Sequence, residues 1–104
     1  MNRQPLPVEP RLMKNLCCIL SLPNRELQAA TLNFSYSGLG VVLPEDASEI
    51  DFREIHTVTV NGIGKLQVIG LWRSGFKIGL KFVSRRSTRP ILDAYFKTIG
   101  EYPI

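Results

Sequence analysis

The sequence predicts a mainly β domain: a small barrel or sandwich of about six short strands, followed by one helix. Two observations carry this. Short apolar or alternating runs succeed one another, separated by clusters of Gly, Pro, Asn and Ser. The apolar period then changes from two to that of a helix only near the C-terminus, over Pro90–Ile99.

The elements follow in order. Met1–Pro10 holds Pro5, Pro7 and Pro10 and reads as an extended arm, because proline removes backbone donors and disfavours helix before it. Leu16–Leu22 is an apolar strand stopped by Pro23-Asn24. Leu27–Phe34 alternates, with Ala29, Thr31 and Asn33 on one face and Ala30, Leu32 and Phe34 on the other. Ser35–Gly38 is a turn, and Leu39–Leu43 is a strand ended by Pro44. Glu45–Glu54 reads as an acidic connecting loop with apolar anchors at Ile50 and Phe52. His56–Val60 is a strand that turns at Asn61-Gly62. Lys65–Arg73 and Phe76–Val83 pair as a hairpin through Ser74-Gly75. Ile91, Leu92, Tyr95, Phe96 and Ile99 form the apolar face of the helix. Ser87 or Thr88 is expected to cap it, Pro90 to occupy its first turn, and Gly100 to end it.

A chain of 104 residues suits one domain. The expected division is an arm over residues 1–10 and a barrel with its helix over residues 11–104. The net charge of +4 favours anionic partners without choosing among them. No apolar run is long enough to span a bilayer and Met1–Pro10 is not a signal peptide, so a cytoplasmic location without direct membrane insertion is expected. Cys17 and Cys18 are adjacent and point to opposite faces of a strand, which suits two reduced thiols rather than a bridge or a metal site.

No catalytic constellation assembles from these residues. His56 is the single histidine and begins a strand. No serine lies in a nucleophile motif, and neither a phosphate-binding Gly-Lys-Ser/Thr loop nor a dinucleotide fingerprint is present. The carboxylates gather in the acidic loop, without an apolar pocket to raise a pKa. A non-enzymatic protein with no metal and no cofactor is expected.

The informative run is Thr31-Leu32-Asn33-Phe34-Ser35-Tyr36-Ser37-Gly38-Leu39-Gly40-Val41. If the chain stays extended, Asn33 and Ser35 share a face, and both carry donor and acceptor capacity. Gly38 permits a tight turn or a close backbone approach. The arrangement suits the edge of a planar polar ligand. It equally suits an ordinary turn whose side chains satisfy local backbone groups.

Asn33-x-Ser35-x-x-Gly38 resembles the Asp/Asn-x-Ser-x-x-Gly signature of PilZ domains. Leu39–Pro44 is similar to the strand after that signature. Leu71-Trp72-Arg73 followed by Ile78-Gly79-Leu80-Lys81-Phe82 is similar to the late family hairpin, and the terminal helix is in its place. The resemblance covers about residues 11–99. It implies a six-stranded antiparallel β-barrel with one C-terminal helix, and a regulatory module that binds cyclic di-GMP. It further implies that Asn33 and Ser35 contact a guanine, that Gly38 shapes the turn, and that the N-terminal arm orders over the ligand. The family's Arg-x-x-x-Arg motif is incomplete here. Arg11 precedes the first strand, but Pro7 and Asn15 stand four residues to either side. Lys14 and Arg3 are the cations left to help Arg11 with the phosphates, and Lys14 lacks the planar fork for stacking. Losing one charge-assisted contact weakens binding about tenfold to a hundredfold.

The same departure leaves an alternative: a protein-interaction module of this fold that has lost the ligand. Either way a protein partner or neighbouring domain reads the output. A single-stranded nucleic-acid binder would need exposed aromatics among its cations. Trp72, Phe76 and Phe82 read as core, which argues against nucleic acid.

Overall fold

From Arg11 to Leu20 the side chains alternate: Arg11, Met13, Asn15, Cys17 and Ile19 are exposed, while Cys18 and Leu20 are buried and Leu12, Lys14 and Leu16 half-buried. This two-residue period is what a strand with one solvated face requires. The computed structural model describes residues 9–44 and 49–104. It contains seven strands, β1 (Leu12–Met13), β2 (Cys17–Leu22), β3 (Arg25–Phe34), β4 (Gly38–Val42), β5 (Thr57–Val60), β6 (Gly64–Ser74) and β7 (Lys77–Phe82). A single 3-10 turn, Phe52–Glu54, lies between β4 and β5, and helix α1 (Arg85–Ile99) follows β7.

All pairings are antiparallel, in the order β3-β2-β5-β6-β7-β4, and the β3–β4 pairing closes the ring. The chain is therefore a closed six-stranded antiparallel barrel with one extra strand and one C-terminal helix, as the sequence predicts. Closure leaves the six main strands without free edges. The extra strand β1 takes the part of the β3 edge beyond β2, with Leu12 opposite Phe34 and Met13 opposite Asn33. Two residues carry no readable period, so the sequence merged β1 into the approach to the first strand.

Two bulges interrupt the wall. One lies in β3 between Thr31 and Asn33, opposite β4; the other lies in β6 between Gly70 and Trp72, opposite β7. Each inserts one residue and so inverts the inside-outside order beyond it. Thr31 and Phe34 are thus both buried, and Leu71 and Trp72 both exposed. The expected placement of Thr31 and Asn33 on one face, and of Trp72 and Phe76 in the core, is corrected by these irregularities. Trp72 is 48% and Phe76 40% exposed, whereas Phe82 is buried as expected.

The interior is filled by Leu20, Phe34, Val41, Val58, Ile78 and Phe82, among others. Helix α1 adds Leu92 and Phe96 to this core, and Phe96 meets the edges of Tyr36, Tyr95 and Tyr102 at 5.7, 5.9 and 6.0 Å. The helix begins at Arg85, three or four residues before the start that a cap at Ser87 or Thr88 implies. Ser84, rather than Ser87 or Thr88, is the N-cap, and its Oγ accepts from the Ser87 amide at 3.1 Å. Pro90 lies inside the helix, where the amide it lacks would have met the carbonyl of exposed Arg86, a group that water can satisfy. Gly100 ends the helix in the left-handed region at φ 72°, as expected. Among the described residues no helix is long and apolar enough to cross a membrane. Ile50 and Phe52 pack against the core as the anchors of the acidic connection; residues 45–48 of that connection lie outside the described residues.

Cys17 is exposed and Cys18 buried, both free, as their opposite directions predict. Burial pushes the Cys18 thiol up to about 12, with the neighbouring Cys17 adding to the shift. In native protein at pH 8, a thiol reagent is expected to modify Cys17 at once and Cys18 only on unfolding. A folded-state pKa raised from 9.0 also means that stability is fully present below pH 9 and falls as pH rises toward 12. Urea midpoints across that range for the wild type and Cys18→Ala check this, the variant being the flatter. Phe96→Ala is expected to cost about 3–5 kcal/mol in the same denaturation experiment, since the ring is wholly buried.

Candidate ligand-binding groove

Inverting the strand order at the two bulges brings four residues into one outward-facing row. Asn33 on β3 pairs with Gly40 on β4, Gly40 with Gly79 on β7, and Gly79 with Trp72 on β6. The two glycines have no side chains to fill the middle of the row, so the wall dips there. The end residues lean inward over it. The Asn33 amide lies 3.2 Å from where a Cβ on Gly40 would be, and a Cβ on Gly79 would fall within the Trp72 indole. Both glycines are consequently buried although they face outward. The groove has a volume of about 310 Å³ and is also lined by Arg11, Met13, Leu71 and Lys77. That volume is near the small end of ligand cavities. Among the described residues two cations line the groove and no carboxylate does.

Arg11 reaches the groove because the segment before β2 is tied to β3. Thr31, fully buried, donates its hydroxyl to the Lys14 carbonyl at 2.7 Å and accepts from the Leu16 amide at 2.8 Å. Asn15 Nδ2 donates to the Thr31 carbonyl at 3.0 Å. These bonds fix the bend between β1 and β2 and hold Arg11 beside Asn33. Arg11 Nη1 donates to Asn33 Oδ1 at 2.6 Å, and the same oxygen accepts from the Gly40 amide at 3.2 Å. Two donors at one oxygen fix the amide orientation and leave Asn33 Nδ2 as an outward donor. One step earlier along the arm, the Glu9 carboxylate accepts from the Ser37 hydroxyl and from Arg85 Nη2, the latter at 3.0 Å.

The six residues singled out from the sequence separate into groups. Arg11 and Asn33 meet at one end of the groove. Ser35 does not join them: it is 0% exposed, and β3 ends before it, so the shared extended face does not exist. Its hydroxyl donates to the Gly38 carbonyl and accepts from the Gly38 amide, both at 3.2 Å, and its oxygen lies at the same distance from the Ser37 hydroxyl oxygen. It is the ordinary turn residue that the sequence equally allowed. Gly38 is the first residue of β4, and a Cβ there would overlap the Leu80 carbonyl. Lys14 turns away and pairs with Glu101 at 2.9 Å, a contact that raises its pKa above the ordinary lysine value. Arg3 lies outside the described residues.

Arg85, Arg86 and Arg89 cluster in the first turns of α1. Two of them have internal anionic partners. Arg85 meets Glu9, and Arg89 lies 3.6 Å from Asp93 and 4.3 Å over the Tyr36 ring. Tyr36 donates to Asp93 at 2.6 Å, and that bond raises its pKa.

Sequence reasoning missed Trp72 and Lys77 as groove residues. The available signal was Gly40 and Gly79, single glycines inside strands, where they mark a bulge or a close approach over bare backbone. No model of a known protein family matches the chain, and no curated protein matches it.

Trp72 is the chain's one tryptophan, so its emission reports on the groove alone. Gly79→Ala is expected to fold, at a cost of about 1–3 kcal/mol, because the indole can swing outward. Its emission is expected to shift to the red relative to wild type; an unchanged spectrum would show that the indole does not rest on Gly79.

Proposed function

We infer that the barrel is a non-catalytic receptor for an anionic guanine nucleotide of the cyclic di-GMP class. The observation that carries this reading is the row Asn33-Gly40-Gly79-Trp72, with Arg11 hydrogen-bonded at one end. An exposed indole face and a guanidinium lining one groove suit a planar base, since both groups stack on aromatic faces. The free Nδ2 of Asn33 and the fork of Arg11 are donors, and guanine offers O6 and N7 as neighbouring acceptors. The absence of lining carboxylates suits a ligand that brings negative charge.

In this reading Asn33 meets the base edge, Trp72 takes its face, and Arg11 takes a phosphate or the second face of the base. Ser35 and Gly38 act indirectly, by holding the turn that sets the start of β4. Lys14 is occupied by Glu101 and has no contact with ligand. Because Arg11 directly follows the arm, a ligand that engages it repositions the N-terminal segment, and a partner protein or neighbouring domain reads that change.

A second reading is a protein-interaction module. It is favoured by Ile69, Leu71 and Phe76, exposed by 50, 54 and 40% on the β6–β7 hairpin. The exposure of Trp72 and Phe76 also removes the sequence argument against single-stranded nucleic acid.

Calorimetric titration with cyclic di-GMP tests the receptor reading, with short single-stranded RNA and DNA run alongside. Saturable heat with the dinucleotide is expected, together with quenching of Trp72. Arg11→Ala is expected to weaken binding about tenfold to a hundredfold, and Asn33→Ala about twofold to tenfold. No heat at high micromolar dinucleotide rejects the reading. Retention of RNA or DNA without a dinucleotide response transfers it to nucleic acid.

A further inference from the structure

A cyclic dinucleotide carries two phosphodiesters and therefore two negative charges, whereas among the described residues the segment next to the arm brings one cation, Arg11, to the groove. The second cation lining the groove is Lys77, on the barrel wall. Lys77 stands two residues before Gly79 on β7, so both project from the same face, about 6.6–6.8 Å apart along the strand. Its neighbours on adjacent strands are Val42 and Ser74, neither of them acidic. It is exposed and takes part in none of the ion pairs formed among the described residues. The other cations near the arm are engaged elsewhere, Lys14 with Glu101 and Arg85 with Glu9.

We propose that Lys77 binds the second phosphate of the dinucleotide, so that the two charges are countered from opposite sides of the groove, one by the arm through Arg11 and one by the wall through Lys77. This rests on the receptor reading and adds to it a residue outside the signature run. Lysine suits the role: its ammonium is a compact charge on a flexible stem, able to follow a phosphate along the open rim without fixed planar geometry. Lys81 projects from the same face on the far side of Gly79 but does not line the groove, and Lys65 stands on β6 well away from it. These two make matched controls of equal charge.

The test titrates wild type, Lys77→Gln, Lys81→Gln and Lys65→Gln with cyclic di-GMP, and with guanosine, which has the base but no phosphate. Trp72 emission is the readout at low and moderate salt. Lys77→Gln is expected to weaken the dinucleotide about tenfold or more and to flatten its salt dependence. Its response to guanosine is expected to stay at the wild-type level, which also reports that the groove is intact. Lys81→Gln and Lys65→Gln are expected to stay within about twofold of wild type. An unchanged dinucleotide affinity in Lys77→Gln overturns the proposal while leaving the receptor reading in place. A loss in Lys81→Gln equal to or greater than that in Lys77→Gln overturns it too, as does an equal loss of guanosine response. Failure of wild type to bind the dinucleotide at all overturns both readings together.

Discussion

A closed antiparallel wall has a strict two-residue rhythm, and the groove exists because that rhythm is broken twice. Without the bulge at Leu32, Asn33 would follow Thr31 by two places and point inward. Without the bulge at Leu71, Trp72 would follow inward-facing Gly70 in the same way. Each inversion costs a ladder position and leaves an extra residue on the outside. The return is that a polar amide and an indole, starting from different strands, arrive on one cross-strand row. Bulges re-aim side chains locally while leaving the rest of the register intact, so the core beneath is undisturbed: Phe34, Leu39, Ile78 and Leu80 remain buried along the same strands.

This also explains which features were legible in the sequence. Strand existence, the β6–β7 hairpin and the C-terminal helix follow from apolar period and turn residues, and these are local properties. Whether a strand stays in phase is a property of its partner. Nothing within Gly70-Leu71-Trp72 says which neighbour will be skipped, so a count by alternation sends Trp72 to the core. Ser35 leaves the expected shared face for a related reason: its side chain is short enough to bond Gly38 within the turn. The helix start was displaced because two capping candidates follow Ser84 within four residues. The wall chose the first, since β7 ends at Phe82 and the chain must turn at once. Arg11 and Asn33 meet at one groove, and their meeting depends on β1, a strand too short to have a pattern.

The arm and the turn are mechanically one unit. Thr31 grips the bend at Lys14–Leu16, Glu9 grips Ser37 and Arg85, and Arg11 grips Asn33 between them. The Glu9 pair is largely exposed and contributes little by itself, as surface ion pairs do. Its effect is geometric, because it fixes where the arm leaves the barrel, beside the first turn of α1. Any occupant that draws Arg11 away from Asn33 Oδ1 must replace that bond. It shifts the arm only to the extent that it binds the rearranged state more tightly.

That condition bears on what kind of ligand the groove can use. Arg11 and Lys77 are solvent-exposed, and charges in water attract weakly and are screened within about 10 Å at 0.1 M salt. Electrostatics can therefore gather and orient an anion here but cannot hold it strongly. In the receptor reading the unscreened part of the attraction must come from area: a flat face laid on the half-exposed indole, displacing water from it. A small phosphate offers charge without area, and an aliphatic molecule offers area without an edge for Asn33. A nucleobase carrying a phosphate offers all three, and joining a second phosphate to it lets one molecule reach Arg11 and Lys77 at once. The glycines matter here because they let the indole and the amide lie close against the wall: a side chain at Gly79 would push Trp72 away, and with it the flat face that the receptor reading needs.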